Sequence, residues 1–430
     1  MNGQGKQLIQ AGLQTGQAGE NVVSQVLQQM LQPPAFTPTL RSGPLASPLF
    51  LGLIPTRGCN MGCRYCDFAA PKKSSPVMDV EMARNAIDAY FNLLCRNNQS
   101  HAEVHFFGGE PFFAEKTVHF AVDYARQRAA ALGLTVSFEV TTNGFYAAGR
   151  AQWIADTFDV VVLSLDGTAD VQDSHRPAIN GGPSSPVVLR SARIFSEGQG
   201  ELLVRACVTH NSVSRLPEFA SWVSRELRPS TVCFETLITA PLARSAGMLP
   251  PAPFEFARYF DQATRILAGY QIDVVLSTAD LRTTRANFCP VGQDALIVSP
   301  DGAVDACYLL EQDWKDKGLD MRLGWLKGNQ LDIAPAALQH ARSFGVDSKA
   351  LCRNCLCRFH CVGGCPVTQG KMVTYDSTCL QTRAITIVRL LRQMGEHALA
   401  DAFLEDVAAL EQAAWQSDDR LVHSEVNHGS

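Results

Sequence analysis

Short runs rich in Val, Ile, Leu and Phe punctuate the middle of the chain, at residues 49–55, 103–107, 135–141, 160–165, 202–209 and 231–237. Each stops at a Gly, a Pro or a polar cluster, the mark of a buried strand. Between them, stretches such as 80–94, 116–132 and 253–267 carry apolar residues every three or four positions, the period of an amphipathic helix. This alternation predicts parallel strands joined by right-handed crossovers. Six units rather than eight predict an α/β fold, an open, partial (β/α)6 TIM-like barrel with active residues at the C-terminal strand ends.

The pattern differs on either side. Residues 1–47 are rich in Gln and Gly, with one helical stretch at 22–31 ended by Pro33 and Pro34, and read as a lead-in segment. Beyond residue 285, runs at 295–299 and 303–307 flank Asp301 and Gly302, an Asp-Gly turn that predicts a β-hairpin. The expected division is a lead-in (1–47), a barrel (48–285), a small cysteine-rich domain (286–385) and a C-terminal helix and tail (386–430).

Cysteine placement adds chemistry to this outline. Cys59, Cys63 and Cys66 follow the first strand directly. Three thiolates so close together can ligate three irons of a cubane [4Fe–4S] cluster and leave the fourth iron open to a small molecule. Structural zinc wants four ligands, and no fourth Cys or His lies nearby. Farther on, Cys289 and Cys307 flank the hairpin, and Cys352, Cys355, Cys361, Cys365 and Cys379 follow, with Cys357 inside the run. Taken alone, that set suits two more cubanes or two zinc ions. Cys95, Cys207 and Cys233 fall in apolar patterns and read as core residues. His101, His105 and His119 have no metal-site spacing.

Charge and composition narrow the setting. The net charge is −5 with no basic block, which disfavours nucleic acid as a partner. No apolar run reaches membrane-spanning length and the Gln-rich start lacks a signal-peptide core, so no membrane association is expected. The 14 cysteines then belong in a reducing cytoplasm, where thiols stay free for metal.

The run Cys59, Asn60, Met61, Gly62, Cys63, Arg64, Tyr65, Cys66 resembles the signature of the radical S-adenosylmethionine (radical SAM) superfamily. Gly108, Gly109, Glu110 and Pro111 follow the second strand; Thr142, Asn143 and Gly144 end the third; Ser164 and Asp166 end the fourth, with His175, Arg176 and Pro177 beyond. Singly these are ordinary turn residues. In this order they resemble the family's S-adenosyl-L-methionine pocket. The resemblance implies that the Gly108–Gly109–Glu110 loop meets the cofactor's amino group, with Tyr65 and Asn143 beside the site. It further implies that Ser164 meets the ribose, and that Arg176, or else Arg205, meets the carboxylate.

The C-terminal cysteines, with Gly302 five residues before Cys307, resemble the SPASM domain, the twin-cluster extension of radical SAM enzymes that modify peptides and proteins. The resemblance implies two auxiliary [4Fe–4S] clusters: an outer one on Cys352, Cys355, Cys361 and Cys379, and an inner one on Cys289, Cys307 and Cys365. The chain departs from the fullest pattern in two places. Residues 291–297 hold no further Cys, so the inner cluster either keeps an open iron or takes Cys357 or a substrate group. Tyr308 stands where sulfatase-maturing members carry an Asp proposed as a base, and an ordinary phenol is a poor base at neutral pH.

The activity so implied is a peptide maturase. S-adenosylmethionine on the triad cluster, given an electron by a donor such as flavodoxin or ferredoxin, yields a 5′-deoxyadenosyl radical that abstracts hydrogen from a ribosomally made peptide, forming a crosslink or an oxidised residue. Formylglycine formation in a sulfatase and a non-enzymatic Fe–S protein are the alternatives. The segment before the barrel is too short and weakly patterned for a separate leader-peptide-binding domain.

Overall fold

In the computed structural model, residues 38–66, 75–353, 355–369 and 376–405 are described. The helical stretch anticipated at 22–31 and the tail beyond residue 405 lie outside them. All six anticipated strands form: β1 (Leu51–Leu53), β2 (His101–Phe106), β3 (Thr135–Thr142), β4 (Val160–Ser164), β5 (Glu201–Val208) and β6 (Thr231–Thr236). They are joined by β7 (Asp273–Val275), β8 (Leu296–Val298), β9 (Ala303–Asp305), β10 (Arg322–Lys327) and β11 (Gln330–Ile333). The sheet runs β11-β10-β9-β8-β1-β2-β3-β4-β5-β6-β7. From β1 to β7 neighbours are parallel and in sequence order, as right-handed crossovers require.

Alternation decides which side chains meet the helices. On β2, Ala102, Val104 and Phe106 are buried, while Glu103 and His105 point to the opposite face. The buried set packs under helices such as Val80–Arg96, whose Asp79 cap accepts from the Met82 amide and whose Ala83, Ile87, Tyr90 and Leu94 form one buried stripe. The same face continues through Val140, Leu163, Val204, Ala206 and Phe234. The other face lines the concave interior of an open barrel.

Two features lay beyond the sequence pattern. β7 is three residues long, too short to register as a run. The cysteine-rich region begins by extending the barrel's own sheet, because β8 lies parallel against β1 with Leu51 opposite Leu296 and Leu53 opposite Val298. The Asp301–Gly302 hairpin forms between β8 and β9, with Gly302 at φ +83°. A buried ion pair ties this extension down. Arg342, 3% exposed, grips Asp294 through Nε–Oδ1 (2.7 Å) and Nη2–Oδ2 (2.6 Å) and also donates to the Gly43 carbonyl (2.6 Å).

Candidate active site and cysteine clusters

Cys59, Cys63 and Cys66 lie on the loop leaving β1, at the C-terminal end of the parallel strands. Segment 175–179 holds that loop from one side: Gly62 N donates to Pro177 O (2.8 Å), Arg64 N to His175 O (3.0 Å), and Met61 bridges Ala178. Two donors point at the Cys59 sulfur, Asn143 Nδ2 at 3.4 Å and Met61 N at 3.5 Å. Burial pushes the Cys59 thiol up to about 12 and the Cys63 thiol up to about 11. A metal centre must therefore expel protons to bind here. Three thiols on one loop, with donors aimed at sulfur, suit an Fe–S cluster. Among the described residues no three Cys, His or carboxylate groups form a single-ion cage.

The Gly-Gly-Glu loop after β2 braces the cysteine loop. Gly109 N donates to Thr56 O (3.0 Å) and Glu110 N to Gly58 O (2.8 Å), so these two amides are spent on the protein itself. A Cβ on Gly109 would sit 2.1 Å from Gly58 O, and one on Gly108 (φ +144°) would sit 2.4 Å from Thr56 O. The glycines are thus demanded by backbone against backbone. Glu110 is buried, accepting from Thr142 Oγ1 (2.9 Å), Asn143 N (2.8 Å) and Phe112 N (3.3 Å). Burial outweighs these bonds and raises its carboxyl to about 7. Its side chain thereby locks the end of β3, and with it Asn143, against the triad.

A second network joins Tyr65 to the ends of β4 and β5. The Tyr65 hydroxyl donates to Asp166 Oδ2 (2.7 Å) and accepts from Arg176 Nη1 (2.7 Å). Asp166 also faces His175 Nδ1 (3.2 Å) and accepts from the Cys207 amide (3.1 Å). Burial works to raise the Asp166 carboxyl, but His175, Arg176 and Tyr65 together hold it below its ordinary value. The Arg176 Nε is buried with no partner, an orphan N–H suited to an incoming carboxylate. Ser164 ends β4 half-buried opposite Arg205 of β5.

The interior holds residues that local pattern misassigned. Cys207 and Cys233 are not helix-facing core residues: they alternate with buried Ala206, Val208, Val232 and Phe234 and so point into the barrel, beside Arg205 and Glu235. Strand parity was the available signal. Cys95 does pack against the core. Tyr308 also enters the interior, on Phe107 (centroids 4.6 Å), and its hydroxyl comes so close to Gly52 that a Cβ there would lie 2.6 Å away. Burial raises its phenol well above its ordinary value.

The C-terminal cysteines form two neighbourhoods. Cys289, Cys307 and Cys365 interact with one another, and burial pushes the first two thiols up to about 12. Cys352, Cys355, Cys361 and Cys379 form the other; burial raises Cys361 to about 12 and Cys379 well above the usual range. Cys355 alone in this group is pulled down, by the Cys357 thiol and by Arg383. Cys357 is buried, its sulfur 3.4 Å from Thr386 Oγ1 on the helix Ser377–Gln393.

Residues 53–214 match the model of the radical SAM superfamily. Among curated proteins, the chain is 28% identical over 169 residues to an uncharacterized protein of Methanocaldococcus jannaschii, covering 39% of this chain and 56% of that one. It is 25% identical over 330 residues to the serine-type anaerobic sulfatase-maturating enzyme of Klebsiella aerogenes, covering 72% and 77%. Among solved structures it resembles native anSMEcpe with bound AdoMet and Cp18Cys peptide (TM-score 0.59, 18% identity, covering 86% and 100%). It also resembles Streptococcus suis SuiB bound to precursor peptide SuiA (TM-score 0.53, 15% identity, covering 75% and 73%). At such identities these two likenesses show the fold. The match to the first relative spans a little over half of that protein's length.

Proposed function

The chain carries a radical SAM domain, and from that premise we propose that it is a maturase that modifies a ribosomally made peptide by hydrogen abstraction, forming a crosslink or an oxidised residue. The carrying observation is the convergence at one end of the barrel of three cysteines, the bracing Gly108–Gly109–Glu110 loop, and a buried arginine with a free Nε. Bound there, S-adenosylmethionine with a [4Fe–4S] cluster supplies the hydrogen-abstracting chemistry, which the protein can only position and shield.

The chain's own residues have definable tasks. Cys59, Cys63 and Cys66 would hold the cluster, with Asn143 and Met61 donating to the Cys59 sulfur. Arg176, fixed by Tyr65 and Asp166, would present Nε to the cofactor carboxylate, and Ser164 would meet the ribose. Arg205, in the interior beside Ser164, adds positive charge to the same wall. Cys352, Cys355, Cys361 and Cys379 would hold an outer auxiliary cluster, and Cys289, Cys307 and Cys365 an inner one. No described helix is long and apolar enough to cross a membrane. A peptide substrate is supported by the likeness to anSMEcpe and SuiB, each solved with a bound peptide. Tyr308, with its phenol raised in the interior, gives no carboxylate base at the place where sulfatase-maturing members have one.

The test is anaerobic incubation of the reconstituted protein with S-adenosylmethionine and a low-potential reductant. 5′-Deoxyadenosine should form, and a peptide encoded beside the gene should change mass. The triple change Cys59→Ala, Cys63→Ala and Cys66→Ala should abolish both while leaving the C-terminal iron. Deoxyadenosine at the parent rate in that variant would refute the assignment.

A further inference from the structure

Lys349 is 8% exposed, and its Nζ donates to Gly363 O (2.6 Å) and Gly364 O (3.3 Å). Among the described residues no carboxylate pairs with it. A buried ammonium satisfied only by carbonyls is costly, because dipoles do not replace water or a counter-ion. What surrounds it is sulfur: burial lowers the Lys349 pKa, and Cys352, Cys361, Cys365 and Cys379 work against that by favouring its charged form. Its stem is wedged in place. A Cβ on Gly363 (φ +72°) would lie 2.4 Å from Lys349 Cδ and 3.1 Å from Cys352 Sγ, so glycine leaves the slot that the lysine fills.

A second cation approaches the same sulfurs from the opposite element. Arg383 is 5% exposed and lies on the helix Ser377–Gln393, one turn after Cys379. It hydrogen-bonds the Cys355 thiol and faces Cys352 and Cys379. Two buried cations around four cysteines have a simple charge logic. A cubane on four thiolates carries a net charge of about −2 and gains one more negative charge on reduction. Nearby fixed positive charge in a poorly solvated site favours the reduced form.

We infer that Lys349, with Arg383, is the built-in counter-charge of the outer cysteine site and raises the reduction potential of the cluster held there, making that cluster an electron acceptor. The inference rests on the reading of that site as an auxiliary [4Fe–4S] cluster. Lys349 is a positioning residue: it acts on the cluster's charge and touches no substrate. The electron it helps to hold would come from the substrate or from the external one-electron donor, and reduction of the cluster would neither form nor break a bond at the lysine.

The test is a redox titration of the reconstituted full chain followed by electron paramagnetic resonance, with the outer cluster identified as the signal that is insensitive to S-adenosylmethionine and lost in Cys379→Ala. Lys349→Met should keep its iron, yet at the wild-type midpoint its reduced-to-oxidised ratio should fall about tenfold, a shift of about 59 mV to lower potential for one electron. Lys349→Arg should stay within about twofold of wild type, since it keeps the charge. An unchanged ratio in Lys349→Met overturns the counter-charge role. If Lys349→Met loses that cluster's iron and Lys349→Arg keeps it, the charge is needed for assembly, which supports the role; loss in both assigns the lysine to packing and overturns it. A wild-type protein without iron at the C-terminal cysteines, whatever the variants do, refutes the cluster reading itself.

Discussion

Gly109→Ala probes the contact that couples the Gly-Gly-Glu loop to the cysteine triad. The added Cβ would lie 2.1 Å from Gly58 O, 2.4 Å from Arg57 O and 2.6 Å from Arg57 C. An ordinary carbon–oxygen contact is about 3.3 Å, so one backbone segment must retreat by about 1 Å, and no side chain can swing aside to relieve it. Such overpacking costs about 1–3 kcal/mol. The retreat also stretches Gly109 N→Thr56 O (3.0 Å) and Glu110 N→Gly58 O (2.8 Å), each worth about 0.5–1.5 kcal/mol net. The expected loss is about 2–6 kcal/mol, read by anaerobic urea unfolding of reconstituted protein. Because the displaced residues lead straight into Cys59, triad iron and S-adenosylmethionine cleavage should fall while the C-terminal iron stays. Gly133→Ala is the control: its φ is +70° but nothing lies within 4 Å, so it should cost only about 1–2 kcal/mol and spare the triad. A Gly109→Ala protein within about 0.5 kcal/mol of wild type, with full iron, would refute the bracing role.

Other outcomes follow from single interactions. The Glu110 carboxyl is raised from 4.5 to about 7 by burial, so the folded state keeps a proton that the unfolded state loses, and its stabilising contribution falls as pH rises through that window. Glu110→Gln should remove about 3 kcal/mol of that pH dependence between pH 5 and 8; parallel wild-type and variant urea profiles would contradict the buried-acid assignment. Arg342→Ala removes the buried partner of the Asp294 carboxylate, leaving it only Arg41 Nη1 at 3.4 Å, and should destabilise by about 3–5 kcal/mol, whereas a calorimetric loss under 1 kcal/mol would show the pair is not isolated from water. Cys357→Ala should keep full iron and activity, since its thiol is already engaged by Thr386 Oγ1 and by the Cys355 thiol; loss of one cluster's worth of iron would make it a ligand.

The local pattern determined a great deal by itself. Parallel order, strand ends and the position of the triad after β1 all follow from short apolar runs alternating with amphipathic helices, because burial imposes those periods residue by residue. The Asp301–Gly302 turn was legible for the same reason: only a residue tolerant of positive φ suits that corner. Tertiary structure decided what meets across the chain. Cys207 and Cys233 look like core residues one at a time, and only register with their neighbours turns them toward the barrel interior. The sequence marks Gly108 and Gly109 as a turn, yet what requires them is the backbone of residues 56–58, some fifty positions earlier. Asp166 gathers Tyr65 from the loop after β1, His175 from the end of the helix Ala169–His175 and the Cys207 amide from β5, and Lys349 finds its sulfurs through folds of the chain that no local period encodes. Helix and strand periods arise from nearest neighbours, whereas a buried charge or a backbone clash belongs to residues brought together only when the sheet closes its register.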